Sequence, residues 1–203
     1  MGIPRRRPRI SEMSVYNAQG SRKYLTESER RRFLNALHGL EMYERLFCLV
    51  AVWSGGRISE VLSLTAASFD LDAGTVAIVT LKRRSRRVVR QVLLPPDLFK
   101  SLTKNLKLRS RQRDPWLAGQ RLWPWSRVTG WRWIKRAMGR AHIEGPAASP
   151  KGLRHTFGVR AFETNVPPHL VQRWLGHASL RTTAIYGDVV GREERKFARR
   201  MWR

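Results

Sequence analysis

The sequence is short of acid and nearly devoid of cysteine. It sets 15 aspartates and glutamates against 40 lysines and arginines, and it has one cysteine in 203 residues. A single cysteine excludes an internal disulfide, and Cys48 sits in the apolar run "RLFCLVAVW", where a small core residue fits. The five histidines keep no metal-ligand spacing with Cys48 or with carboxylates. The aspartates are few: Asp70, Asp72, Asp97, Asp114 and Asp188. That argues against a divalent-metal nuclease, which holds its ions with clustered acids. No run reaches the ~18 apolar residues of a membrane-spanning helix, and no signal-peptide apolar region follows the basic start.

What the chain has in excess is positive charge, a formal +25. Such a surplus repels itself in a folded state and calls for a polyanion. DNA, RNA and an anionic membrane surface qualify, the membrane being the weakest of the three for want of an apolar anchor. Chemistry on a phosphodiester is expected to proceed without a metal.

The length suits one core with a small appendage. Met1 to Lys23 carries "RRRPR" and reads as a basic, flexible arm. Thr26 and Glu29 form a capping-box pattern for a helix ending near Gly39, and an apolar helix from about Glu41 stops at Gly55-Gly56. "RISEVLSL" is a short helix. "SFDLDAGTVAIVTLKRRSRRVVRQVLLP" has the period and turn residues of three short strands, with turns at Asp72-Ala73-Gly74 and around Arg84-Ser85. Asp97 is placed to cap a helix to about Leu108, and Arg109 to Trp125 reads as a loop. Ser126 caps a helix to about Ile143, Pro150 opens another, and Val166-Pro167-Pro168 breaks it and begins one that ends at Gly176. A last helix spans about Arg192 to Trp202. The fold class is therefore α+β, mainly helical, with a small three-stranded antiparallel sheet.

Four stretches bear chemistry. In "SGGRISEVLSL" two glycines let the chain turn and present Arg57, and Glu60, three positions on, can hold its guanidinium. An ordinary surface ion pair would read the same way. In "SPKGLRHTF", Lys151 and Arg154 stand one turn apart and can grip one phosphate, although basic helices are common in this chain. In "LGHASLRTTAIYG", His177 follows a helix break and Tyr186 comes nine residues later. A phenol, with an unperturbed pKa of about 10, becomes a useful nucleophile when cations lower that value. The alternatives are a capping histidine and a surface aromatic. Lys82 ends a strand and can protonate a leaving oxygen. Six of the nine residues from Lys82 to Arg90 are basic, so the hairpin could equally be a phosphate grip.

Taken in order, an arginine after a glycine-rich helix end, a hairpin lysine, "LRHTF" and "LGHASLRTTAIY" resemble the tyrosine recombinase (phage integrase) family over Tyr24 to about Tyr186. The resemblance implies a catalytic domain over residues 24–190, a helical tail over 191–203, and site-specific recombination of double-stranded DNA through a 3′-phosphotyrosyl link. It implies Arg57 and Arg154 on the non-bridging oxygens, Lys82 as the acid, His177 as a further donor and Tyr186 as the nucleophile, with no metal and no cofactor. Arg83, Arg84, Arg86 and Arg87 on the hairpin, and Arg127 and Arg132 on the helix "SRVTGWRWIKRAMGRA", are the expected DNA contacts. On that helix Val128, Trp131, Ile134 and Met138 read as core, and Trp116, Trp123 and Trp125 read as packing. The surplus charge opposes self-association and predicts a monomer alone; the resemblance implies a homo-tetramer on DNA, with accessory bending or directionality proteins, in the cytoplasm with the prokaryotic nucleoid. Backbone neutralisation would lower log K by ~0.9 per phosphate contact per decade of salt.

The chain departs from the family pattern at the position three before Arg154, where Lys151 replaces the usual histidine. His155 is one residue out of register, about 100° round the helix from Arg154, so the proton acceptor for Tyr186 is open. The short stretch ahead of Tyr24 is similar to the compact fimbrial-switch invertases. Two other readings use the same residues: a non-catalytic DNA-binding regulator, and a type IB topoisomerase-like relaxing enzyme.

Overall fold

In the computed structural model, which describes residues 14–80 and 88–187, helix α1 (Glu27–Ala36) starts where the Thr26 hydroxyl accepts from the Glu29 amide and the Glu29 carboxylate accepts from the Thr26 amide. A 3₁₀ turn (Leu37–Gly39) closes it. Helix α2 (Met42–Ser54) is the centre of the molecule. It buries Leu46, Phe47, Cys48, Val50, Ala51 and Val52, and packs on helices that come later in the chain. Gly55 ends α2 with φ at +60°, a conformation glycine adopts without penalty. Helix α3 (Ile58–Leu62) follows at once.

The sheet is antiparallel in the order β1 (Phe69–Asp70), β2 (Thr75–Thr80), β3 (Val88–Leu93). Ile78 faces Arg90 across β2 and β3, and Val76 faces Val92. Alternation holds: Val76, Ile78, Arg90 and Val92 point inward, while Val89, Gln91 and Leu93 face solvent. Helices α4 (Pro96–Asn105), α5 (Leu108–Gln112), α6 (Pro115–Gly119) and α7 (Arg127–Arg140) come next. Helix α8 (Pro150–Glu163) packs on α2, α9 (Pro168–Leu175) folds back on α8, and α10 (Leu180–Ala184) packs on α9.

Several expectations change. Asp97 sits in the first turn of α4 but makes no side-chain cap; Pro95 occupies that place. The stretch from Arg109 to Trp125, expected as a loop, holds α5 and α6. Asp114 caps α6 by accepting from Trp116 and Leu117, a role that a proline one residue later signals. The arm expected over Met1 to Lys23 is folded from Ser14 onward: Tyr16 bridges Arg22, and Val15 is fully buried in an apolar cluster with Val159, Val171, Leu175 and Tyr186. On α7, Ile134 and Met138 are core as read, but Val128 and Trp131 are exposed, because the buried face runs through Gly130, Ile134, Ala137 and Met138, with Gly130 close against Phe47 and Leu62. Trp123 is buried and Trp125 packs on Phe47, whereas Trp116 is 70% exposed. The "RRRPR" run, the turn around Arg84-Ser85 with Lys82, Arg83, Arg84, Arg86 and Arg87, and the helix expected over 192–202 lie outside the described residues. Among the described residues no helix is long and apolar enough to cross a membrane.

Candidate active site

Residues far apart in sequence meet in one cavity of about 630 Å³. Its walls include Arg57 and Glu60 beside α3, Arg127 and Trp131 on α7, Lys151, Arg154 and His155 on α8, and His177 and Tyr186 from the final segment.

Arg57 is 28% exposed and donates from Nη1 to Glu60 Oε1 at 2.7 Å, while its backbone amide donates to Glu60 Oε2 at 2.9 Å. Glu60 itself is fully buried and also accepts from Arg90 Nη2 at 2.6 Å. Burial alone would raise the carboxyl; the Arg90 charge and hydrogen bonds from Arg57 and Arg90 outweigh it and hold Glu60 below the ordinary carboxylate value. Arg90 further donates to Thr80 Oγ1 at 2.9 Å and to the Trp174 carbonyl at 2.6 Å. It is thus a buried strut joining the sheet, α3 and α9, and not part of the hairpin's basic surface.

Arg154 is nearly buried. Its Nη1 donates to the Gly55 carbonyl at 2.7 Å and its Nη2 to the Leu175 carbonyl at 2.6 Å. Those carbonyls lie at the C-terminal ends of α2 and α9, where oxygens lack intrahelical partners and carry the negative end of the helix dipole. The guanidinium is aimed by two helix ends with N–H groups to spare. Burial, then the neighbouring Arg57, lowers its pKa to about 10, so it stays charged at neutral pH.

Tyr186 is 2% exposed. Its ring lies against Gly158, where an added Cβ would stand 2.5 Å from ring atoms, and stacks on His177 at 6.1 Å between centroids. His155 meets the same ring edge-on at 5.9 Å. Burial pushes the Tyr186 phenol above the ordinary tyrosine value, and the charges of Arg154 and Arg57 pull only part of the way back. The cations expected to lower this pKa do act in that direction, but desolvation is the larger effect. His177 Nδ1 pairs with Thr183 Oγ1 at 2.9 Å, and burial, followed by the charges of Arg154 and Arg57, brings its pKa to about 3.

The structure brings together Arg57, Glu60, Lys151, Arg154, His177 and Tyr186, with Arg127 at the cavity edge and Arg132 exposed further along α7. His155 was expected to point away; it lines the cavity, because it is four residues after Lys151 and so shares that residue's face. Arg90, Thr183, Gly158 and Trp131 were not foreseen at the site. Arg90 could have been found from the strand alternation, which puts it in register with the inward Val92.

The phage integrase family model matches residues 23–191. Tyrosine recombinase XerA of Thermococcus kodakarensis is 30% identical over 177 residues, covering 86% of this chain and 61% of that protein. Tyrosine recombinase XerD of Haemophilus influenzae is 28% identical over 179 residues, covering 82% and 58%. The chain thus spans about three fifths of the length of these curated relatives. A crystal structure of XerA recombinase superposes with a TM-score of 0.71 at 24% identity, covering 88% of this chain and 64% of that one, which is a likeness of fold. Sequence motifs, cavity and family match agree over the same residues, and the chain belongs to the phage integrase family.

Proposed function

We propose that this protein cuts and rejoins double-stranded DNA at specific sites through a phosphotyrosyl intermediate. The observation that carries the reading is the seating of the Tyr186 phenol in a cavity whose other walls are Arg57, Arg154 and His177. A nucleophile buried beside two fixed guanidinium groups suits attack on a phosphodiester, whose transition state concentrates negative charge on non-bridging oxygens.

Tyr186 Oη attacks phosphorus, a 3′-phosphotyrosyl bond forms, and the bond to the 5′ oxygen breaks. Arg57 and Arg154 hold the non-bridging oxygens. His177 donates a further hydrogen bond, Lys151 adds positive charge, and Lys82 protonates the departing 5′ oxygen. Attack by a different 5′ hydroxyl completes the exchange. Arg83, Arg84, Arg86, Arg87, Arg127 and Arg132 engage the DNA backbone and grooves. The domain of residues 24–190 performs the chemistry, and the tail of 191–203 joins neighbouring protomers in a tetramer that forms on DNA, where the surplus charge is neutralised.

The test is covalent capture on nicked duplexes, in which the released strand diffuses away and leaves the adduct trapped. Tyr186→Phe keeps the ring packing and should retain DNA affinity while yielding no adduct. Adduct at the parental level in this variant would overturn the assignment.

A further inference from the structure

The phenol of Tyr186 must shed a proton as its oxygen attacks, and the candidates within the cavity can be sorted by their existing bonds. Arg57, Arg127 and Arg154 have no acceptor, and Lys151 is a cation. Glu60 has its two oxygens taken by Arg57 and Arg90. His177 is engaged through Nδ1 with Thr183, whose buried hydroxyl has no other hydrogen-bond partner among the described residues. Donation by that hydroxyl to Nδ1 leaves no O–H without a partner, and on this assignment the imidazole proton sits on Nε2 and His177 is a donor toward the cavity.

His155 differs from all of them. It is 8% exposed, both of its ring nitrogens are buried, and neither has a hydrogen-bond partner among the described residues. Buried polar atoms without partners are uncommon and call for an explanation. Its ring abuts the Tyr186 ring and lines the same cavity. The charged groups facing it are Lys151 and Arg154 on α8 and Lys23 from the segment ahead of α1, and the neutral imidazole of His177 stands nearby.

We propose that His155 is the proton acceptor for Tyr186, taking the place that the family gives to a histidine at position 151. The inference rests on the phosphotyrosyl reading above. In the step, the bond from Tyr186 Oη to phosphorus forms and the bond from phosphorus to the 5′ oxygen breaks. The phenolic proton passes to a ring nitrogen of His155, and the 5′ oxygen takes a proton from Lys82. In rejoining, the same proton returns to the Tyr186 oxygen as it leaves phosphorus. Burial and then the surrounding cations bring the imidazole pKa to about 4 in the free protein, which keeps it neutral and able to accept. A phosphate seated between Arg57 and Arg154 adds negative charge beside the imidazolium and stabilises it as it forms.

The probe is one nicked duplex, selected from a random-sequence library by covalent capture on the parental full-length protein and then used for every variant in single-turnover reactions. His155→Gln should bind this duplex as the parent does and form adduct on the order of 100-fold more slowly at neutral pH, with a rate that climbs as pH rises. Added imidazole should restore part of the lost rate in His155→Ala, which a purely structural role would not permit. Adduct formation by His155→Gln at the parental rate and pH dependence would overturn the proposal. Should these variants lose their fold by circular dichroism, nitrogen NMR of the histidine-labelled parent on the duplex decides. The acid limb of the cleavage rate must track titration of His155, and a limb that tracks His177 overturns the proposal. No adduct with the parental protein on any library member refutes the recombinase reading and this step with it, a result distinct from rapid cleavage by His155→Gln.

Discussion

Replacing Glu60 by glutamine tests whether one buried carboxylate holds the site together. Glu60 is fully buried and bridges Arg57 at 2.7 Å and Arg90 at 2.6 Å. Arg57 keeps contact with solvent. Arg90 is 3% exposed, and its other partners, the Thr80 hydroxyl and the Trp174 carbonyl, are neutral. Glutamine preserves the shape but strands the buried Arg90 charge, and removing one member of a buried ion pair costs roughly 3–5 kcal/mol. In a domain of this size about 1 kcal/mol moves the melting temperature by ~2–4 °C, so Glu60→Gln should lower it by ~6–20 °C. Thermal melts followed by near- and far-ultraviolet circular dichroism measure the shift and check that loss of packing and of helix coincide. Adding Arg90→Met should recover part of the loss, since the stranded charge goes with its partner. A drop smaller than ~2 °C, or a double variant no more stable than Glu60→Gln, would refute the view that Glu60 neutralises Arg90.

Other predictions concern protons, hydrogen-bond geometry and the leaving group. His155 and His177, with pKa values of about 4 and about 3, stay neutral in the folded protein while the unfolded chain protonates them near their ordinary 6.5. Both states are neutral above that value; below it the unfolded state binds more protons, so the urea midpoint should fall as pH drops from 7 to 5, less steeply in His177→Asn, and a flat parental profile would contradict the burial of these rings. Arg154→Lys cannot bond the Gly55 and Leu175 carbonyls and still present a fork to phosphate; adduct formation should slow by at least ~100-fold, and parental rates would show that charge alone suffices. Lys82→Ala should slow cleavage of ordinary DNA far more than of DNA with a 5′-bridging phosphorothiolate, because a thiolate departs unprotonated. Equal slowing on both substrates would make Lys82 a phosphate contact only.

Local signals were legible where one or two neighbouring residues carry them. Thr26 with Glu29, Ser126, Pro150 and Gly55 each set a helix end that the structure reproduces. Placement of Arg57, Arg154, His177 and Tyr186 around one cavity followed from ordered motifs, which no single residue supplied. What escaped reading depends on tertiary context. Val128 and Trp131 are exposed because α7 buries the face through Gly130, Ile134, Ala137 and Met138, and a glycine on that face gives no apolar signal to mark it. Arg90 looked like one more cation in a basic run, and only the partner across the fold, Glu60, distinguishes it. His155 was judged by its angle from Arg154 when the informative neighbour was Lys151, one turn away.

Val15 gives the segment ahead of the family-matched region an unexpected standing. The match begins at residue 23, and a clone trimmed there would look complete by homology. Yet Val15 is wholly shielded within the same small apolar cluster as Tyr186, and the Lys23 amide and side chain bond back to Val15 and Ser14 at 2.7 and 3.1 Å. Tyr186 therefore shares its apolar cluster with a residue that domain delimitation would discard, so an expression boundary drawn at the motif edge would remove part of that cluster while leaving every motif residue in place.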